Sequence, residues 1–238
     1  MNYVLLVSCV GTLAGMLGTG IGGLIILLLG KPRGDTLGFL LAFSGGVMLG
    51  VVISGLLPES FQLGSALTAA GGTYAGVFAM FALSRLASIP QAVRIRGPLF
   101  RTGFLIGLGI AMHNFPEGLA IGTGYAASDS LGLELAVALA LHNIPEGMAM
   151  AGPLAAEMSP AWAFLWTTLA GLPMGLGALL GALLGTVSRA ALSFALGCAG
   201  GAMLYLVFQE LLPQSYGLGS PRIASLGALF GIMVGLLM

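Results

Sequence analysis

Two twelve-residue stretches hold the side chains of this chain most able to do chemistry. Residues 111–122 read AMHNFPEGLAIG and residues 140–151 read ALHNIPEGMAMA. Both carry His, Asn, Pro, Glu and Gly in the order H-N-x-P-E-G inside an apolar run. They contain both histidines, His113 and His142, and two of the eight acidic residues, Glu117 and Glu146. Helical spacing sets each His four residues before its Glu, on one face. Asn114 and Asn143 stand three residues before the same Glu and join it from the side. The two motifs together offer two imidazoles, two carboxylates and two amide oxygens. That donor set suits zinc, iron(II), manganese or cobalt better than copper(I). Either Glu can bridge two ions, and metal binding would release protons. Pro116 cannot donate to the carbonyl of Met112, nor Pro145 to that of Leu141, so each bends its helix beside the polar groups. Gly118 and Gly147 then allow a close approach or a kink.

The elements that must position these groups are membrane helices. Hydrophobic residues make up 58% of the chain and charged residues 7%, which excludes an ordinary water-soluble domain. Apolar runs long enough for a ~30 Å hydrocarbon core fall at roughly 3–29, 37–58, 66–87, 102–124, 131–153, 161–186, 190–213 and 222–238. These eight spans, joined by short linkers, predict an all-α polytopic membrane protein with one integral membrane domain over residues 1–238. The runs are continuous and do not alternate, which excludes a β-barrel. The first run is too long for a signal-peptide core and has no basic n-region, so it reads as a retained helix. Zero net charge excludes nucleic acid as a partner; the partner is the lipid bilayer. Cys9 and Cys198 both fall inside spans and are expected to be buried small hydrophobes. His113 and His142 each lie about 11 residues into their spans, roughly 16 Å deep at 1.5 Å per residue. Ionisable groups are costly at that depth, and two mirrored copies there point to function.

Basic residues set the expected orientation. With both termini outside the cytoplasm, Lys31, Arg33, Arg85, Arg94, Arg96, Arg101 and Arg222 face the cytoplasm, and Arg189 alone faces out. The connection from about 88 to 101 reads as a basic anchor for the anionic leaflet. The expected location is the cell (inner) membrane.

The chain also repeats itself. Residues 45–64 (GGVMLGVVISGLLPESFQLG) align without gaps on 200–219 (GGAMLYLVFQELLPQSYGLG). TLAG at 12–15 recurs at 168–171, and GIGG at 20–23 matches GLGA at 175–178 after a one-residue gap. Partners five spans apart cross the membrane in opposite senses, as do spans four and five. The expectation is an inverted repeat, with spans 1–3 mirrored by 6–8 and spans 4 and 5 mirrored at the centre. Secondary transporters of this organisation bind their substrates near the midplane.

With these motifs in hand, the chain resembles the ZIP family of divalent metal transporters over nearly its full length. The resemblance matches His113, Asn114, Glu117, His142, Asn143 and Glu146 to metal ligands. It implies inward transport of zinc or another divalent transition metal, one or two ions at the site, and alternating access by one bundle (spans 1, 4, 5 and 6) moving against another. It also implies homodimers as a common assembly. Three positions depart from the pattern. Met174 stands where many bacterial members have a span-six Glu, Gly55 replaces a carboxylate near the end of span two, and Gln209 precedes Glu210 where an acidic pair is common.

Glu59 and Glu210 lie near predicted outer and inner helix ends, and suit an entrance and an exit for the ion. The alternative of an intramembrane zinc metalloenzyme would call for H-E-x-x-H with an open water position, whereas Asn follows each His here. Met48, Met174 and Met203 read as packing residues, with Met174 also placed to offer a thioether to metal.

Overall fold

The structure, a computed structural model, describes residues 3–86, 97–184 and 188–238. Arg94 and Arg96, part of the orientation argument, lie outside these residues. The described chain is helical: α1 (Tyr3–Leu29), α2 (Gly34–Leu63), α3 (Ala66–Leu86), α4 (Pro98–Ala127), α5 (Asp129–Glu157), α6 (Pro160–Leu169 and Leu172–Leu184), α7 (Arg189–Leu218) and α8 (Pro221–Leu236). Length and composition qualify α1, α2, α3, α4, α6 and α7 to cross a membrane. The other two are the 29-residue α5, which carries the second motif, and the shorter apolar α8.

Local chemistry starts these helices. Ser128, Ser159 and Ser188 cap α5, α6 and α7, each side chain accepting from a backbone N–H three residues on. Pro98, Pro160 and Pro221 open α4, α6 and α8, where the missing N–H costs nothing. The turn from α1 to α2 uses Gly30 and Gly34 at positive φ, a conformation a side chain would strain.

Two sequence expectations are corrected. The charge pattern puts Arg101 in a basic connection, but α4 begins at Pro98 and holds Arg101 in its first turn. Hydropathy alone placed the start at 102 and passed over the proline that opens the helix. The span pattern predicts both Cys9 and Cys198 buried, yet Cys9 is exposed on α1 and Cys198 is only half-buried. A membrane helix turns one face to lipid, so an apolar residue inside a span need not be in the core.

Helices α2 and α7 each contain a π-helical turn, at Val52–Leu56 and Val207–Leu211. Pro58 and Pro213 explain both. Neither can donate to the carbonyl four residues earlier, and the ladder widens: the N–H of Leu57 reaches the carbonyl of Val52, and that of Leu212 reaches Val207. Helix α6 is interrupted at Ala170–Gly171, just before Pro173. This break lies where TLAG ends, and it absorbs the one-residue gap between the α1 and α6 sequences.

Helices α1, α4, α5 and α6 pack on one another, as do α2 with α8 and α3 with α7; α2 and α7 then rest on α5 and α4. Glycines set the closest approaches, and one spacing of 155 positions runs through them. A Cβ at Gly46 would strike the carbonyl of Ala228, and one at Gly201 that of Thr73. Gly231 meets the carbonyl of Phe43, and Gly76 that of Cys198. Gly22 meets Ile144 and Gly177 meets Phe115; Gly147 meets Thr19 and Gly118 meets Met174. In each pair the residues of α1–α3 and α6–α8 differ by 155, and those of α4 and α5 by 29. Small residues let the backbones touch, the means by which apolar helices associate in lipid.

Candidate metal centre

His113 and His142 are the sixteenth residue of the 30-residue α4 and the fourteenth of the 29-residue α5, so both stay central. The close contacts of α4 with α6 and of α5 with α1, at Gly118 and Gly147, turn the motif faces toward each other. His113, Glu117, His142 and Glu146 are all at most 5% exposed. Nε2 of His142 donates to Oε1 of Glu117 at 3.1 Å. Nδ1 of His113 is 3.4 Å from that same oxygen, and its Nε2 is 3.2 Å from Oε2 of Glu146. Nε2 of His142 lies 3.9 Å from Oε1 of Glu146. Each imidazole therefore faces both carboxylates, and each carboxylate faces both imidazoles.

Asn114 sits beside this group in a divided role. Its Nδ2 donates to the carbonyl of Ala170 at 3.3 Å, satisfying the break in α6, while its Oδ1 has no partner. Both amide atoms of Asn143 are unpartnered, as are Oε2 of Glu117 and both oxygens of Glu146; the His113 nitrogens are close to carboxylates but misaligned for hydrogen bonds. An unsatisfied buried polar group costs about 1–3 kcal/mol. A cation placed among these oxygens would give them a partner. Among the described residues, no three His, Cys, Asp or Glu side chains stand arranged to hold a metal ion. The four are closed on one another, and zinc, bound about 2.0–2.2 Å from its N and O ligands, would have to replace the His–Glu contacts.

A cavity of about 610 Å³ reaches this group from one end of the bundle. Glu117 and His142 line its floor; Glu59 and Gln62 at the end of α2, Gly124 near the end of α4, Leu131 at the start of α5 and Met238 line its walls. The structure thus brings Glu59 into the same cavity as the motif. His113 and Glu146 are not among the lining residues.

The remaining candidates lie elsewhere. Met174 is fully buried in an apolar cluster with Val7, Ala14, Ile121 and Ala178, while its carbonyl packs on Gly118. Met48 and Met203 are core residues as expected. Gln209 is exposed on α7, and its neighbour Glu210 is buried. At the end of the bundle away from the cavity, Arg101 donates to Oε1 of Glu210 and Thr102 to Oε2, each at 3.3 Å. Sequence reasoning missed both partners of Glu210. Pro98 was the available signal, since a helix opening there carries Arg101 and Thr102 inward.

Residues 90–238 match the family described as ZIP Zinc transporter. The chain is 34% identical over 229 residues to the zinc transporter ZupT of Enterobacter sp. (strain 638), covering 91% of this chain and 89% of that protein. It is 33% identical over 241 residues to ZupT of Corynebacterium aurimucosum, covering 92% and 90% respectively. It is 39% identical over 145 residues to the zinc transporter GufA of Myxococcus xanthus, covering 60% and 57%.

Proposed function

The chain belongs to the ZIP zinc transporter family, and on that premise we propose that it carries zinc into the cytoplasm through the site built by its two H-N-x-P-E-G motifs. It is a multi-pass membrane protein of a transporter family and not of an enzyme family. The observation that carries the proposal is the convergence of His113, Glu117, His142 and Glu146 on one another, with Glu117 and His142 lining a cavity. Zinc accepts this mixture of imidazole and carboxylate; iron(II), manganese and cobalt are the competing cargoes. Glu59 stands at the entrance. Asn114 and Asn143 supply further oxygen ligands. Arriving zinc displaces the imidazole protons from the carboxylates, so its uptake is coupled to proton release.

In this reading both termini are outside the cytoplasm and the cavity faces out. Spans 1–3 and 6–8 form the two arms of an inverted repeat, supported by the common spacing of their glycine contacts. One ion is held between the motifs. Met174 places a thioether among apolar neighbours where a carboxylate would complete a second position.

Uptake into proteoliposomes across zinc, iron(II), manganese and cobalt tests the proposal. Zinc is expected to enter fastest. His113→Ala and Glu146→Ala are each expected to slow uptake by at least about 100-fold, the upper range for loss of groups that merely support metal ligands. Uptake untouched by both substitutions would refute the site.

A further inference from the structure

The two spacings that relate the halves of this molecule also relate its two ends. Glu210 on α7 corresponds to Gly55 on α2, each the fourth residue of its π turn. The shift of 29 from α4 to α5 carries Arg101 to Ser130 and Thr102 to Leu131. At one end these positions are closed: Glu210 accepts from Arg101 and Thr102. At the other, Gly55 and Leu131 are walls of the cavity, and a Cβ added to Gly55 would meet nothing. The same piece of architecture is shut where it holds a charge pair and open where it holds none.

We propose that Arg101 and Thr102 latch Glu210, and that this latch keeps the ion path shut at the end of the bundle opposite the cavity. The pair is asymmetric. The Arg101 side chain is 37% exposed and that of Glu210 is 6% exposed. Arg101 can therefore swing toward water, while Glu210 stays in place. Once Arg101 leaves, the buried carboxylate needs a new cation, and an ion coming from the motif site supplies it. The latch thereby couples opening at this end to occupancy by the cargo. Between latch and motifs, Ile106 and Ile110 of α4 and Met203 and Leu206 of α7 are buried in the apolar core and form the seal.

The inference rests on the transport reading for its purpose, but its test does not require transport. With Cys9 and Cys198 replaced by Ser, cysteine reporters are placed at Ile106→Cys, in the seal, and at its counterpart Leu135→Cys, in the cavity wall. A membrane-impermeant thiol reagent is applied from each side in the absence of zinc. With the latch intact, the reporter at 135 reacts quickly and the one at 106 slowly. Arg101→Gln is expected to speed reaction at 106 by about tenfold, the population change that follows loss of one charge-assisted hydrogen bond. It should slow reaction at 135, because opening one end closes the other. Glu210→Gln should act alike, and the double variant should add nothing further. Arg101→Lys should stay near the parent, and Thr102→Val, which leaves the ion pair intact, should give a smaller increase that remains readable if Arg101→Gln does not fold. Unchanged labelling at 106 in all variants overturns the latch. Faster labelling at 106 with no change at 135 also overturns it, since that is local fraying. Absence of zinc uptake by the parent protein, with labelling as expected, sinks the transport reading and leaves the latch standing.

Discussion

The π turns of α2 and α7 occupy equivalent places in the chain and have opposite surroundings. The turn in α2 borders open space, with Gly55 and Ser54 on the wall of the cavity. The turn in α7 buries Glu210 against Arg101 and Thr102. Prolines one turn on produce both irregularities, so the backbone does not distinguish them. The side chains do. A carboxylate removed from water must find a partner, and the partner it finds draws α4 against α7. Glycine makes no such demand, and the matching gap between α2 and α5 stays open. Two equivalent π turns thus come to stand, one beside open space and one beside a buried ion pair, through very few residues.

The glycine contacts of α4 and α5 are expected to be equivalent. Gly118→Ala and Gly147→Ala each push a Cβ into a backbone carbonyl, of Met174 and Thr19 respectively. Overpacking of this kind costs about 1–3 kcal/mol, and the two losses should be alike in thermal unfolding of the purified protein. A large loss at one site beside none at the other would show that the two packings are not equivalent. A smaller effect is expected from Gly55→Glu, which gives the open end the carboxylate that the closed end has. Space is available for it. Negative charge in a cavity raises the local concentration of a dication, so KM for zinc should fall on the order of threefold to tenfold. A rise in KM would mean that this wall is not on the path. The smallest effect belongs to Glu59→Gln at the entrance. It should lower kcat/KM about twofold at low ionic strength and lose that effect in high salt, since exposed charges act over a Debye length of about 10 Å at 0.1 M. A loss independent of salt would point to direct coordination by Glu59.

Much of the molecule was legible in its residues. Eight helical runs, the two motifs and the gapless alignment of 45–64 with 200–219 could all be read directly, because continuous apolar runs and ordered repeats are local properties. Helix starts were less so: Arg101 was misplaced because hydropathy weighs a proline at N1 as a break and not as an opening. Burial within a span was not legible either, as Cys9 shows, because period alone does not say which face meets lipid. The weak match of α1 with α6 was legible only as a gap; the break at Ala170–Gly171 explains it.

Residue types and spacing alone establish that the chain is helical, lies in the membrane and carries two copies of H-N-x-P-E-G near the middle of two helices. These follow from residue types and their spacing along a single helix. Contacts in the folded molecule decide that the four ionisable motif side chains close on one another, that Glu59 shares a cavity with Glu117 and His142, that Met174 sits among apolar groups and that Arg101 holds Glu210. Each of these depends on contacts between side chains of different helices. Packing of small residues brings such helices together, and whichever buried charge finds a partner settles which end is shut.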